Sequence, residues 1–359
     1  MTKNSKRLLI TGGGTGGHIF PGLAVAHYLI KEYGWKVYWL GSIGHLEADI
    51  VPKNGIQINF IHAIGFCGKS WYKQLISLLF FCFSVLKARS IIRFWKPDII
   101  LGVGGYVSAP VGVAAWFCGC PVIVHEQNSV AGLANRFLAM TVAKKVLQAF
   151  PNAFSYAETV GNPIRDVILD IKDPEDRLCN RVGPVRLLII GGSQGAQIFN
   201  HMMPRILSVV INQFIIWHQV GKGNIQEVYH FYSDLVKQDV YKIIEFIDDI
   251  AFAYEWADIV ICRSGALTVS EISSVGVPAI FVPFAHRDCH QYLNALPLQQ
   301  IGAAKIISEQ EFTVNHVSYI LHTWSDRSLL LKMAKRAKIL SIPDSTEQIA
   351  YRIRSLLIR

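Results

Sequence analysis

Twice in this chain a short apolar run ends in a glycine-rich loop that opens a helix, and this repeated arrangement limits the fold more than any other feature. In the first copy Arg7–Thr11 leads into Gly12-Gly13-Gly14-Thr15-Gly16-Gly17-His18. The spacing predicts a helix over Pro21–Tyr33, with proline in its first turn and Gly34 past its end. In the second copy Val185–Ile190 leads into Gly191-Gly192-Ser193-Gln194-Gly195-Ala196 and another helix. Short apolar runs bounded by Gly, Pro or Asp read as further buried strands: Lys36–Leu40, Ile99–Val103, Pro121–His125, Ile215–Gln219, Tyr241–Phe246, Ile259–Cys262 and Ala279–Pro283. Strands alternating with helices make this an α/β chain of parallel, doubly wound sheets. The pattern restarts after Gly161-Asn162-Pro163, so 359 residues divide into two domains near that point, with a cleft between them. A last helix is expected in Ser345–Arg359.

Hydrophobic residues make up 51% of the chain and charged ones 17%, against about 25% charged in an average soluble protein. That excludes intrinsic disorder and allows each half its own core. The formal charge of +9 favours anionic partners: nucleic acid, phosphorylated metabolites or an acidic membrane surface. Seven cysteines with no Cys-x-x-Cys pair read as reduced thiols. The basic start Met1–Arg7 is followed by a strand and a glycine loop with no small-residue cleavage site, so no signal peptide is expected. No apolar stretch approaches the ~20 residues that cross a bilayer.

The loop at 12–17 lets backbone N–H groups approach a ligand closely, and the helix behind it adds about half an elementary charge. A diphosphate is the expected occupant. Gly12-x-Gly14-x-x-Gly17 also fits a dinucleotide fingerprint, but the second strand ends Trp39-Leu40-Gly41-Ser42 with no acid for a ribose, which disfavours NAD. His18, at the mouth of the loop, reads either as a structural histidine or as a general base. Gly102-Val103-Gly104-Gly105 is either a second donor loop or a strand end packed tightly on a helix. Glu126 and Asn128 are either ligand contacts or caps of a helix expected over Val130–Ala139. Arg263–Glu271 follows a strand and opens a helix whose first N–H groups come from Ala266, Leu267 and Thr268. Glu271 there is either an acceptor for a ribose diol or an acid that compensates the helix dipole. His286, Asp288 and His290 look metal-like but lack a further ligand, and there is no Asp-x-Asp pair, so no metal and no cofactor are expected. In Trp71–Arg93 helical spacing puts Lys73, Gln74, Ser77, Ser84 and Lys87 on one stripe, beside a wide apolar face. That face, flanked by Lys69, Lys87, Arg89, Arg93 and Lys96, is either all core or partly a peripheral contact with an anionic membrane.

Taken together, Gly-Gly-Thr-Gly-Gly-His at 13–18, His-Glu-Gln-Asn at 125–128, Gly-Asn-Pro-Ile-Arg at 161–165, Gly-Gly-Ser-Gln-Gly-Ala at 191–196 and the run Cys262–Glu271 resemble the MurG family along almost the whole chain. The resemblance implies a GT-B fold: a Rossmann-like acceptor and membrane domain at 1–162, a Rossmann-like sugar-nucleotide domain at 163–342, and a helix at 343–359 packing back on the first. It implies an inverting transfer of N-acetylglucosamine from UDP-N-acetylglucosamine, without a metal, to the 4-hydroxyl of the N-acetylmuramoyl-pentapeptide of undecaprenyl-diphosphate-linked lipid I. The product is lipid II for peptidoglycan, made at the cytoplasmic face of the bacterial inner membrane, and no nucleic acid takes part. Carried over residue by residue, the donor contacts are Thr15, Gly16, Gly17, Asn128, Arg165, Ser193, Ile247, Ala266, Leu267, Thr268, Val269, Ser270, Glu271 and Gln291. Glu271 would hold the ribose, Ile247 would meet uracil through its backbone, and Gly13, Gly14, Gly104 and Gly105 would receive the lipid diphosphate, with His18 as base. Relatives differ in the middle of Arg287–Gln291, which favours Gln291 over His290. Rival readings are a UDP-N-acetylglucosamine 2-epimerase and a non-catalytic lipid-diphosphate binding protein.

Overall fold

The computed structural model describes residues 5–62, 71–192, 194–210, 213–233, 240–285 and 288–357, without the side chains of 71–76. It forms two units: residues 1–164 with 342–359, and residues 165–341.

The first unit is built on a parallel sheet of β1 (Arg7–Thr11), β2 (Lys36–Ser42), β3 (Gln57–Ile61), β4 (Ile99–Gly102), β5 (Val122–Glu126), β6 (Ala143–Gln148) and β7 (Glu158–Thr159). Their order is β3-β2-β1-β4-β5-β6-β7. The helices are α1 (Gly16–Tyr33), α2 (Glu47–Lys53), α3 (Trp71–Trp95), α4 (Ser108–Phe117) and α5 (Leu133–Thr141). Side chains alternate across the pleat. Leu8 and Ile10 therefore enter the core with α1, while Leu9 enters the opposite core with Val85, Ala88 and Ile92 of α3. The final helix of the chain (Ser345–Ser355) belongs to this unit, adding Ile349, Ala350 and Ile353 to the α1 core and pairing Arg352 with Glu158.

Residues 166–169 and 174–178 form two short helices, α6 and α7, that open the second unit. Its parallel sheet comprises β8 (Val185–Ile190), β9 (Phe214–Gln219), β10 (Tyr241–Ile244), β11 (Ile259–Cys262), β12 (Ala279–Phe281) and β13 (Ala304–Ile306), in the order β10-β9-β8-β11-β12-β13. Around it lie α8 (Gln197–Val210), α9 (Ile225–Ser233), α10 (Ile250–Trp256), α11 (Ala266–Val275), α12 (His290–Gln300), α13 (Val314–Thr323) and α14 (Arg327–Ile339); the final helix is thus α15. Buried Arg177 on α7 donates to the carbonyls of Lys172, Tyr254, Val275 and Gly276, tying α7 to the ends of α10 and α11. Desolvation lowers its pKa to about 10, and it remains cationic at neutral pH.

Three local expectations change. α1 starts at Gly16 rather than Pro21, which lies inside it, because Gly16, Gly17 and His18 supply its first turn. α5 begins at Leu133, after the loop that Glu126 organises, and not at Val130. On α3 the serines of the polar stripe, Ser77 and Ser84, are buried, while Leu79, Phe83, Leu86 and Phe94 are exposed. The Ser84 hydroxyl donates to the Phe80 carbonyl at 2.7 Å, so helix and hydroxyl satisfy each other inside the core.

Candidate functional site

In both sheets the strand order reverses between the first strand and its inner neighbour. Crevices at the carboxyl ends of such switch points are where open parallel sheets bind ligands. In the first unit that point lies between β1 and β4, and the loops leaving both strands are the two glycine loops. They are packed on each other. The Gly13 N–H donates to the Gly104 carbonyl at 3.3 Å, and the Ser108 hydroxyl donates to the carbonyls of Thr11 and Gly104. A Cβ on Gly105, where φ is +84°, would stand 2.5 Å from the Gly13 oxygen, so glycine is required there on both counts.

His18 sits at this junction. Its Nδ1 lies 3.1 Å from the Gly13 carbonyl and 3.2 Å from the Thr15 hydroxyl. A carbonyl only accepts, so Nδ1 carries the proton and Nε2 keeps its lone pair. Nε2 faces Gly104, where a Cβ would come within 2.9 Å of it. Desolvation lowers the imidazole pKa, opposed by Glu126, the Gly13 carbonyl and Glu47, so the ring is neutral at neutral pH. One ring nitrogen is thus tethered to the Gly13 carbonyl, and the other carries a lone pair.

Two carboxylates frame the loops. Buried Glu126 accepts from the N–H of Asn128 and Gly132 and from the side-chain amides of Asn128 and Asn135, fixing the segment after β5. His125 donates from Nε2 to the Gly161 carbonyl at 2.9 Å, and burial lowers its pKa. Glu47, at the start of α2, accepts from the Gly14 N–H and from both the N–H and the hydroxyl of Ser42. The N–H groups of Gly13 and Gly14, expected to face a diphosphate, donate here to the Gly104 carbonyl and to Glu47. The helix-opening N–H groups of Gly16 and Gly17 head the first turn of α1, where a helix leaves its donors unmatched, with Thr15 at the N-cap.

In the second unit the switch point lies between β8 and β11. The loop after β8 is drawn tight: a Cβ on Gly191 would meet the Ala196 nitrogen at 2.2 Å, and one on Gly195, where φ is +73°, the Val220 oxygen at 2.0 Å. Ser193 lies outside the described residues, as does His286. After β11, Gly265 caps α11 in extended conformation, and Ala266, Leu267, Thr268, Val269 and Ser270 form its opening turns. Glu271 follows one and a half turns in. Its Oε1 accepts from Arg165 at 2.9 Å and its Oε2 from the Tyr254 hydroxyl at 3.2 Å. Burial pushes this carboxyl up, while Arg165 and Tyr254 pull it back. Ile247 lies in the loop after β10, and Gln291 on α12 accepts from the Phe284 N–H at 2.8 Å. Asp288 accepts from His290 Nδ1 at 2.6 Å, so these two metal-like residues are bound to each other. Among the described residues no three His, Cys, Asp or Glu side chains cluster as metal ligands.

The fold thus brings together residues 13–18 with Gly104 and Gly105 in the first unit, and Arg165 with Glu271 in the second. Of the expected donor contacts, Thr15, Gly16, Gly17 and Asn128 belong to the first unit and the remainder to the second. Sequence reasoning passed over Glu47, Ser42, Asn135 and Tyr254. Their only sequence signal is an acid, hydroxyl, amide or phenol in or near a short element, and only the folded chain gives it a partner.

Residues 8–147 match the N-terminal domain of glycosyltransferase family 28, and residues 186–349 match its C-terminal domain. The chain belongs to glycosyltransferase family 28. Within that family it is 53% identical over 350 residues, 98% of either chain, to the UDP-N-acetylglucosamine--N-acetylmuramyl-(pentapeptide) pyrophosphoryl-undecaprenol N-acetylglucosamine transferase of Yersinia enterocolitica. It is 54% identical to the protein of that name from Pectobacterium carotovorum, covering 98% of this chain and 95% of that one. The crystal structure of Acinetobacter baumannii MurG superposes with a TM-score of 0.87 at 35% identity, over 98% of this chain and 99% of that one. The MurG resemblance and the GT-B fold of this family 28 chain are therefore established. A UDP-GlcNAc 2-epimerase from Neisseria meningitidis, with a TM-score of 0.67 at 14% identity over 99% of this chain and 100% of that one, shares the fold alone.

Proposed function

We propose that the chain transfers N-acetylglucosamine from UDP-N-acetylglucosamine to the muramoyl 4-hydroxyl of undecaprenyl-diphosphate-linked lipid I, with inversion. What carries the reading is the coincidence of the family motifs with the switch points of both sheets, in a chain 53% identical over nearly its full length to transferases of that name. The second unit would bind the donor. Glu271 has lone pairs beyond those used by Arg165 and Tyr254 with which to accept from the ribose diol. The N-terminal ends of α8 and α11 would stabilise charge growing on the departing UDP. The first unit would bind the acceptor diphosphate at the start of α1 and beside Gly104 and Gly105, and the bare Nε2 of His18 would take the proton of the attacking hydroxyl.

A peripheral seat on an anionic membrane surface, at the cytoplasmic face of the inner membrane, fits the exposed Leu79, Phe83, Leu86 and Phe94 of α3 and Trp116 and Phe117 of the adjoining α4. Lys87, Arg93 and Lys96 accompany them, each gaining about 1 kcal/mol near an anionic surface. No described helix is long and apolar enough to cross a membrane.

The test is transfer of labelled sugar from UDP-N-acetylglucosamine to a short-chain lipid I analogue, beside a reaction without acceptor. The reading expects a disaccharide lipid only when acceptor is present, and equal rates with and without EDTA. Epimerised UDP-sugar in the acceptor-free arm defeats it in favour of the epimerase. No turnover in either arm, together with no donor binding by calorimetry, leaves the lipid-diphosphate binding protein.

A further inference from the structure

We infer that Glu47 is a positioning residue for the transfer, holding the His18 imidazole in one tautomer and orientation through the single peptide unit that joins Gly13 to Gly14. The inference rests on the reading of His18 as the base.

That peptide is gripped at both ends. Its N–H, from Gly14, donates to Glu47 Oε2 at 2.9 Å, and its carbonyl, from Gly13, accepts from His18 Nδ1–H at 3.1 Å. The two groups of a trans peptide point in opposite directions. Carboxylate, peptide and imidazole therefore form a line of two hydrogen bonds in which each polarises the next. A negative charge at one end makes the Gly13 oxygen a better acceptor at the other, and so makes Nε2 a better base.

Glu47 is fully buried, a costly place for a charge unless it is hydrogen-bonded. The protein supplies the partners: Oε1 accepts from the Ser42 N–H at 3.0 Å and the Ser42 hydroxyl at 2.7 Å. Despite desolvation, the donors Gly14 and Ser42 hold its pKa below the usual carboxylate range. The backbone has been shaped around it. A Cβ on Gly13 would stand 2.0 Å from Oε1, and one on Gly41 would stand 2.8 Å from the Glu47 Cγ. Gly13 has no positive φ to account for it, so the space taken by the carboxylate is the reason for glycine there. The charged groups facing His18 are Glu47 from α2 and Glu126 from β5. Glu126 is bound to the segment 128–135, which leaves Glu47 as the carboxylate linked to the ring through hydrogen bonds.

The experiment uses the full chain. In Glu47→Gln the charge is lost and one of the two side-chain atoms becomes an N–H₂ facing the N–H of Gly14 or of Ser42, while size is kept. In Glu47→Asp the charge stays but the reach to Gly14 is lost. Steady-state kinetics should show kcat lower by about tenfold or more in Glu47→Gln, part of the roughly 10²–10⁴-fold a positioned base supplies. KM for UDP-N-acetylglucosamine should be unchanged, and Glu47→Asp should fall between the two. Nitrogen NMR of His18 should find the proton on Nδ1 in the unaltered protein. In Glu47→Gln it should find a lower His18 pKa, with the acid limb of kcat moving down in step. A folded Glu47→Gln protein with unaltered kcat and His18 titration overturns the inference, and so does lost kcat with an unmoved His18 titration. If neither variant folds, the tautomer of the unaltered protein decides, and a proton on Nε2 is the overturning result. Full turnover in His18→Ala would instead defeat the reading of the base. A slow His18→Ala with a normal Glu47→Gln defeats only the relay.

Discussion

At the scale of single residues, the first crevice is organised around what glycine leaves empty. His18 occupies space that any side chain on Gly104 would claim, and φ at Gly104 is +97°. Gly104→Ala should therefore cost activity through the His18 ring as well as through backbone strain, and a crystal structure of the variant should show the imidazole displaced from the Gly13 carbonyl. His18→Ala should lower kcat by about 10²–10⁴-fold, with KM for the UDP-sugar unchanged, because the imidazole acts on the acceptor's proton. Glu271→Ala should do the reverse, raising KM for the donor tenfold or more; unchanged donor affinity by calorimetry would remove Glu271 from the ribose. His18 and Glu271 stood out in the sequence because each follows a glycine-bearing turn at a strand end, in the first two turns of the next helix. Glu47 did not, since its partner Gly14 lies 33 residues away and the pairing exists only once β1 and β2 are aligned.

At the scale of elements, the central strands and the edge strand β10 were legible, and the other three edges were not. Arg7–Thr11, Val185–Ile190 and Ile259–Cys262 are mostly buried and carry the apolar runs Leu8–Ile10, Leu187–Ile190 and Ile259–Cys262. β3 and β7 are the two opposite edges of their sheet and β13 is an edge of the other, with polar residues facing solvent, and their short runs carry no such signature. β6 was missed because Lys144 and Lys145 interrupt it. α3 shows the limit of reading a helix by its polar stripe: Ser77 and Ser84 go inward, because a serine can return its hydrogen bond to its own helix, and phenylalanines go outward. Phe83 is 68% exposed and Phe94 87%, which is costly unless another surface covers them. Replacing Leu79 and Phe83 together by Ser should weaken binding to anionic vesicles by about tenfold or more, given about 1.5–3 kcal/mol per fully buried side chain. The melting temperature should hold steady, whereas a fall in melting temperature with vesicle binding intact would assign that face to the core.

At the scale of the whole molecule, two parallel sheets of like topology each place their motifs at their own point of reversal. The sheets bury His125 and His218 in neutral form, and His18 at the start of α1 is partly buried. Desolvation lowers the pKa of His18, of His125, and of His218, the last to about 3. Unfolded, each takes up a proton near pH 6.5. Below that pH the unfolded chain binds more protons than the native one, so stability falls as pH drops from about 6.5 toward the lowered native values and is unaffected by these groups above it. Urea unfolding at pH 7, 6 and 5 should show that decline, and His218→Gln should make it shallower; a flat profile would contradict the buried neutral rings. The most direct test of the account is a crystal structure with UDP-N-acetylglucosamine bound. The ribose hydroxyls should lie within hydrogen-bond distance of Glu271, with the diphosphate at the start of α11 and the loop after β8. A nucleotide seated instead on the glycine loop after β1, with Glu271 still held only by Arg165 and Tyr254, would contradict it.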